Sequence, residues 1–161
     1  MIAAVPELYR AVPYTFANGP YRKYDIRTHE EGINCQLFLH LMYEQEFGVS
    51  LPIGMYSQEL YEDMTFFRNL SEGERLMRGD LMMFGPPNLK DMKRLHMTFV
   101  SGEFDAQDNP YILHCTSTGN GVQVWPLERF SRYEKYRELY AVKRLKDELH
   151  RAFVLPAVYG G

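Results

Sequence analysis

Gly32-Ile33-Asn34-Cys35-Gln36-Leu37-Phe38-Leu39-His40-Leu41-Met42-Tyr43 is the stretch from which the fold can be read. Leu37, Phe38, Leu41 and Met42 recur at three- and four-residue spacing, the apolar stripe of an amphipathic helix. Asn34 is a good N-cap, so Cys35 falls in the first turn, and Gly48 offers a left-handed stop at the far end. A first-turn thiol meets unpaired backbone N–H groups and the positive end of the helix dipole, and both favour thiolate. Position alone leaves two readings open: a nucleophile, or a small core cysteine.

Upstream, residues 1–20 are rich in Pro and aromatics and close on the turn Asn18-Gly19-Pro20. Tyr24 to Gly32 is polar with no helical period, which predicts a loop or short extended piece. Downstream, Pro52 ends regular structure. Ser57 to Phe67 predicts a second helix, with Leu60, Tyr61, Met64 and Phe67 on one side and Ser57 as its cap. Ser71 to Arg78 is charged and turn-like. The period then changes: Leu81–Phe84, Leu95–Val100, Tyr111–Cys115, Val122–Trp125 and Leu139–Val142 read as strands separated by turns. Helices first and strands afterwards predict an α+β fold, with N-terminal helices packed on an antiparallel sheet of about five or six strands.

The 161 residues fit one domain, with a core at about 19–145 and a C-terminal extension at 146–161. A hydrophobic fraction of 45% describes a chain that folds, and a net charge of -3 gives no electrostatic reason to expect nucleic acid. The start lacks a basic region followed by a long apolar run, so no signal peptide is expected, and no stretch is apolar enough to span a bilayer. The expectation is a cytoplasmic protein with no membrane partner, export by a leaderless route remaining open. Two cysteines, Cys35 and Cys115, do not call for a disulfide in a chain of this size.

His96 opens one predicted strand and His114 lies near the end of the next. If these strands pair as antiparallel neighbours, the two histidines meet at one rim of the sheet. A helix packed with its first turn at that rim completes a thiol, a base and a group holding the base, the general nucleophile constellation. His29, His40 and His150 are assigned structural roles; His40 lies about 140° around the helix from Cys35, at roughly 100° per residue. A zinc site from Cys35, His96, His114 and Cys115 has an acceptable ligand set. Against it, His114 and Cys115 are adjacent on a strand and should face opposite ways, and no metal-binding spacing is present. The expectation is therefore no metal and no cofactor, with Cys115 in the core.

In order along the chain, Pro20-Tyr21, Asn34-Cys35-Gln36-Leu37, Phe47-Gly48-Val49-Ser50-Leu51-Pro52, Gln58, Gly79-Asp80-Leu81, Phe84, His96 to Gly102, Ile112-Leu113-His114 and Gly121-Val122-Gln123-Val124 resemble the motifs of the NlpC-type cysteine peptidases. These are papain-like enzymes that cut peptidoglycan stem peptides. The resemblance covers about Gly19 to Val142. It implies a single papain-like catalytic domain in which Cys35 is the nucleophile, His96 the general base and His114 the orienting residue. It also implies an oxyanion hole from the Tyr21 hydroxyl and the Cys35 backbone N–H. A thiolate–imidazolium pair at neutral pH is then expected.

The departures bear on specificity. Asn34, Gln36 and Leu37 stand where the family has Asp, Ser and Gly, and Lys23-Tyr24-Asp25 occupies the region of a usual Gly pair. Asn34 and Gln36 are the candidate substrate-binding residues, and Asn34 lacks the charge that would pair with an ammonium group. The resemblance implies a cysteine hydrolase cutting an amide or isopeptide bond, with a peptide or peptidoglycan fragment as partner. The altered neighbours also suit an intracellular thiol amidase or acyltransferase on the same scaffold. A binding module that uses the cleft without turnover is the alternative outside enzymes.

Overall fold

The computed structural model describes residues 4–150. Residues 151–161, most of the expected extension, lie outside the described residues, as does the side chain of His150. The architecture is α+β: a six-stranded antiparallel sheet with helices supplied mainly by the first half of the chain. Four helices are α1 (Ile26–Glu31), α2 (Cys35–Phe47), α3 (Ser57–Glu62) and the single turn α4 (Leu127–Phe130). The strands are β1 (Phe67–Asn69), β2 (Leu81–Gly85), β3 (His96–Phe104), β4 (Pro110–Thr116), β5 (Gly121–Pro126) and β6 (Glu138–Leu145). Their order is β1-β6-β2-β3-β4-β5, so the last strand inserts between the first two. Among the described residues no helix is long and apolar enough to cross a membrane.

Helix α2 forms where the caps predict. The Asn34 side chain accepts from the Leu37 N–H at 2.8 Å, and Gly48 closes the helix at φ 67° with its N–H on the Glu44 and Tyr43 carbonyls. It is not the amphipathic surface helix the spacing suggests, because every residue from Leu37 to Tyr43 is buried. Sheet strands β3 and β4 cover one side and the N-terminal segment covers another, with the Tyr9 ring 5.1 Å from Phe38. A helix enclosed on several sides needs no polar face.

Tyr24 to Gly32 is where the sequence reading fails. Asp25 caps a short helix by accepting from the Arg27 and Thr28 amides, while the Thr28 hydroxyl accepts from the Asp25 amide. This capping box needs no apolar period, since only Thr28 of the helix is buried. Gly32 ends it at φ 106°, where any Cβ would lie 2.4 Å from the Pro13 carbonyl oxygen. That close approach lets the Ile33 N–H reach Pro13 and the Thr15 N–H reach Ile33, laying Tyr14 beside the entry to α2.

The second helix is shorter than expected and Ser57 is inside it, with Tyr56 at the cap. The buried Lys143 ammonium of β6 donates to the carbonyls of Leu60, Tyr61 and Asp63, and the Asp63 carboxylate takes the Phe66 and Phe67 amides. These bonds satisfy the end of α3 and turn the chain into β1, a three-residue edge strand with too little pattern to read.

The sheet separates two apolar clusters. Leu81, Met83, Met97, Phe99, Leu113 and Cys115 pack toward α2. Met82, Val100, Ile112 and Trp125 pack on the other face, against Phe130 and Tyr136 from the β5–β6 connection. Strand β2 is buried on both faces, which explains its unbroken apolar run. Strand β3 runs past the expected turn at Ser101-Gly102, through a register shift, to Phe104.

Candidate functional site

Strands β3 and β4 pair antiparallel with Phe99 opposite Leu113 and Val100 opposite Ile112. His96 and His114 therefore share the face carrying Val100 and Ile112. They meet there, with His96 Nε2 and His114 Nδ1 2.8 Å apart. Cys115, one residue on, packs on the opposite face, where its thiol donates to the Ile33 carbonyl at 3.3 Å. Among the described residues no group of three or more His, Cys, Asp or Glu is placed to hold a metal ion.

Cys35 and His96 line one cavity of about 470 Å³ at the rim where β3 begins, together with Tyr14, Asn34, Gln36 and Tyr136. The Cys35 sulfur is approached by the backbone amides of Met97, Cys35 and Gln36, all of which favour the thiolate. Met97 follows His96 in sequence, so this contact ties the sulfur to the start of β3. Desolvation outweighs the amides and pushes the thiol up to about 11. Burial, with a further push from the Lys135 charge, pulls His96 down to about 3. His114 is held well below its ordinary value by burial and then by His96, Arg129 and Lys135. All three shifts favour the uncharged forms and so oppose the thiolate–imidazolium pair expected from the sequence. Loss of water around the sulfur is the largest of these effects.

The second nitrogen of His114, Nε2, is buried with no hydrogen-bond partner. Its ring is enclosed by Trp125 at 4.3 Å, Phe130 at 4.8 Å and Tyr136 at 6.0 Å. Aromatic faces carry negative charge, so they accept an N–H and repel a bare lone pair. This favours the proton on His114 Nε2, which leaves Nδ1 to accept. His96 must then donate from Nε2, and its Nδ1 is left unprotonated. A neutral His96 in this tautomer is a base whose free lone pair lies on the side away from His114. The His96 ring is itself stacked on Tyr136 at 4.3 Å, which fixes its plane.

Asn34 and Gln36 line the cavity, but their polar atoms are engaged within the protein. The Asn34 amide donates to the Gln36 carbonyl oxygen (3.2 Å), the Gln36 amide to Ser57 Oγ (2.6 Å), and Ser57 Oγ to the Leu95 carbonyl (2.9 Å). This chain of donors joins the first turn of α2 to the start of β3 through α3. It frames the site instead of offering free contacts to a substrate.

Tyr21 does not occupy the place the sequence assigns it. Its hydroxyl donates to the Ala17 carbonyl, and its ring, 53% exposed, lines an adjoining groove outside the Cys35 cavity. Tyr14 lines that cavity, with its hydroxyl raised by burial and by the proximity of Cys35 and Cys115. The chain has two Pro-Tyr dipeptides, Pro13-Tyr14 and Pro20-Tyr21. The bridge between Tyr14 and Ile33 brings the first to the Cys35 cavity. His40, as expected, is structural: buried, with Nε2 2.8 Å from the Met55 carbonyl oxygen. His29 pairs with the Tyr24 hydroxyl.

No known family model matches this chain, and no curated protein does.

Proposed function

We propose that this protein is a papain-like cysteine hydrolase of the NlpC type, cleaving an amide or isopeptide bond, most simply in a peptidoglycan-type peptide. The observation that carries this reading is the shared cavity of Cys35 and His96, with His114 hydrogen-bonded behind His96. The order of motifs around those three residues supports it.

In the proposed reaction the Cys35 Sγ proton passes to His96 Nδ1 as sulfur attacks the carbonyl carbon. The Cys35 backbone N–H and the Tyr14 hydroxyl receive the developing oxyanion. His96 then protonates the leaving nitrogen, the C–N bond breaks, and a thioester remains. Water, deprotonated by His96, attacks the thioester, and the proton returns to sulfur as the acid leaves. Because the shifts oppose a resting ion pair, proton transfer accompanies attack, and the general base contributes roughly 10²–10⁴-fold. A defined set of muropeptides, incubated with the protein and followed by mass spectrometry, tests the reading. Cleavage fragments are expected from the native protein, with loss of at least about 10³-fold in Cys35→Ala. Equal product from both proteins excludes it.

A further inference from the structure

The cavity around Cys35 is unusual in its charge. Among the described residues, seven salt bridges join Arg22, Arg68, Arg75, Arg78, Arg132 and Arg144 to carboxylates, and none of them lies at this cavity. Lys93, Arg94 and Lys135 line its mouth, are exposed, and have no carboxylate within salt-bridge distance among the described residues. Glu134 is the one acidic lining residue. Lys135 donates only to Ser117 Oγ at 3.2 Å, and its charge reaches both His96 and His114. In a chain with net charge -3, a concave site ringed by unpaired cations concentrates positive potential where the general surface does not.

The same cavity continues sideways. Phe16, Asn34, Gln36 and Lys93 are shared with a second groove of about 490 Å³, whose further lining includes Tyr21, Tyr56 and the carboxylate of Glu59. Phe16 is 84% exposed, an apolar ring held at the junction with nothing packed over most of it. The Cys35 cavity therefore carries cations among its lining and runs on into an aromatic groove.

Resting on the cysteine-hydrolase reading for the identity of the site, but not on its peptidoglycan-type substrate, we propose that the substrate is an amide with an aromatic or bulky apolar group on one side of the scissile bond and a carboxylate on the other. The carboxylate lies against Lys93, Arg94 and Lys135, and the apolar group lies over Phe16 and Tyr21.

Calorimetric titration of the Cys35→Ala protein with N-acetyl-Phe-Glu-amide, N-acetyl-Phe-Gln-amide, N-acetyl-Phe-Lys-amide and N-acetyl-Ala-Glu-amide, each in both residue orders, tests this directly. The Phe-Glu peptide in one order is expected to bind at least about tenfold tighter than its Gln analogue, with the Lys analogue weakest. That preference should shrink at high salt and disappear in a further Lys93→Met, Lys135→Met variant. Phe16→Ser should weaken the Phe-Glu peptide toward the Ala-Glu peptide. Equal binding of Glu and Gln peptides, tighter binding of Lys, no effect of Phe16→Ser, or no binding by any peptide overturns the proposal. Charge-selective binding without turnover by the native protein would leave this inference standing and remove the hydrolase reading. Turnover without charge preference would do the reverse.

Discussion

With the Cys35 thiol pushed up to about 11 and His96 pulled down to about 3, the site disfavours ionisation of sulfur at neutral pH. Alkylation of Cys35 by iodoacetamide, mapped by mass, should therefore climb about tenfold per pH unit from pH 7 to pH 10, without a plateau near neutrality. A plateau below pH 7 would show that an ion pair forms at rest. The two tyrosines separate cleanly at the same scale. Tyr14→Phe should lower kcat roughly 10²–10³-fold, the cost of one oxyanion donor. Tyr21→Phe, whose hydroxyl serves Ala17, should change kcat less than about threefold, and steady-state kinetics on a cleaved peptide checks both.

At the scale of elements, three pieces of chain must hold their mutual geometry: the first turn of α2, the first residue of β3 and the helix α3 between them. Ser57 is the link, accepting from Gln36 and donating to Leu95. Ser57→Ala leaves a buried carbonyl and an amide without partners, at a cost of about 1–3 kcal/mol by denaturant unfolding. It should also lower kcat more than it raises KM, because Cys35 and His96 lose a shared restraint while the outer pocket keeps its cations. A fall in stability with unchanged kcat would mean that the chain of donors supports the fold and not the reaction.

For the whole molecule, buried histidines set the acid limit. His96, His114 and His40 are all held below their ordinary value, chiefly by burial. In the unfolded chain each titrates near 6.5, so below that pH the unfolded state binds more protons than the native one. Stability is then complete above about pH 6.5 and is lost as pH falls toward 3, where His96 itself would charge. Each group contributes at most about 1.4 kcal/mol per pH unit, and the hydrogen-bonded pair counts for less than two independent sites. Thermal unfolding from pH 6.5 to pH 5, where carboxylates are still ionised, should show Tm falling by roughly 3 °C or more per unit. His96→Asn combined with His114→Asn should flatten that slope; an unchanged slope would place the acid sensitivity elsewhere.

Local chemistry was enough to specify much of this protein. Asn34 and Gly48 bound α2 because capping depends on neighbours within one turn, and the runs from Leu81 to Trp125 announce strands because their period is local. The meeting of His96 and His114 was also legible, since antiparallel neighbours bring the start of one strand to the end of the next. Contacts between distant segments decided the rest. Asp25 and Thr28 make a helix with no apolar stripe, Lys143 ends α3 from more than 80 residues away, and the Tyr14–Ile33 bridge brings the first Pro-Tyr dipeptide to the Cys35 cavity. The ionisation of Cys35 belongs to that second group as well. A sequence shows a thiol at a helix start, but only packing determines how much water is removed from the sulfur, and here that loss outweighs the three amides that approach it.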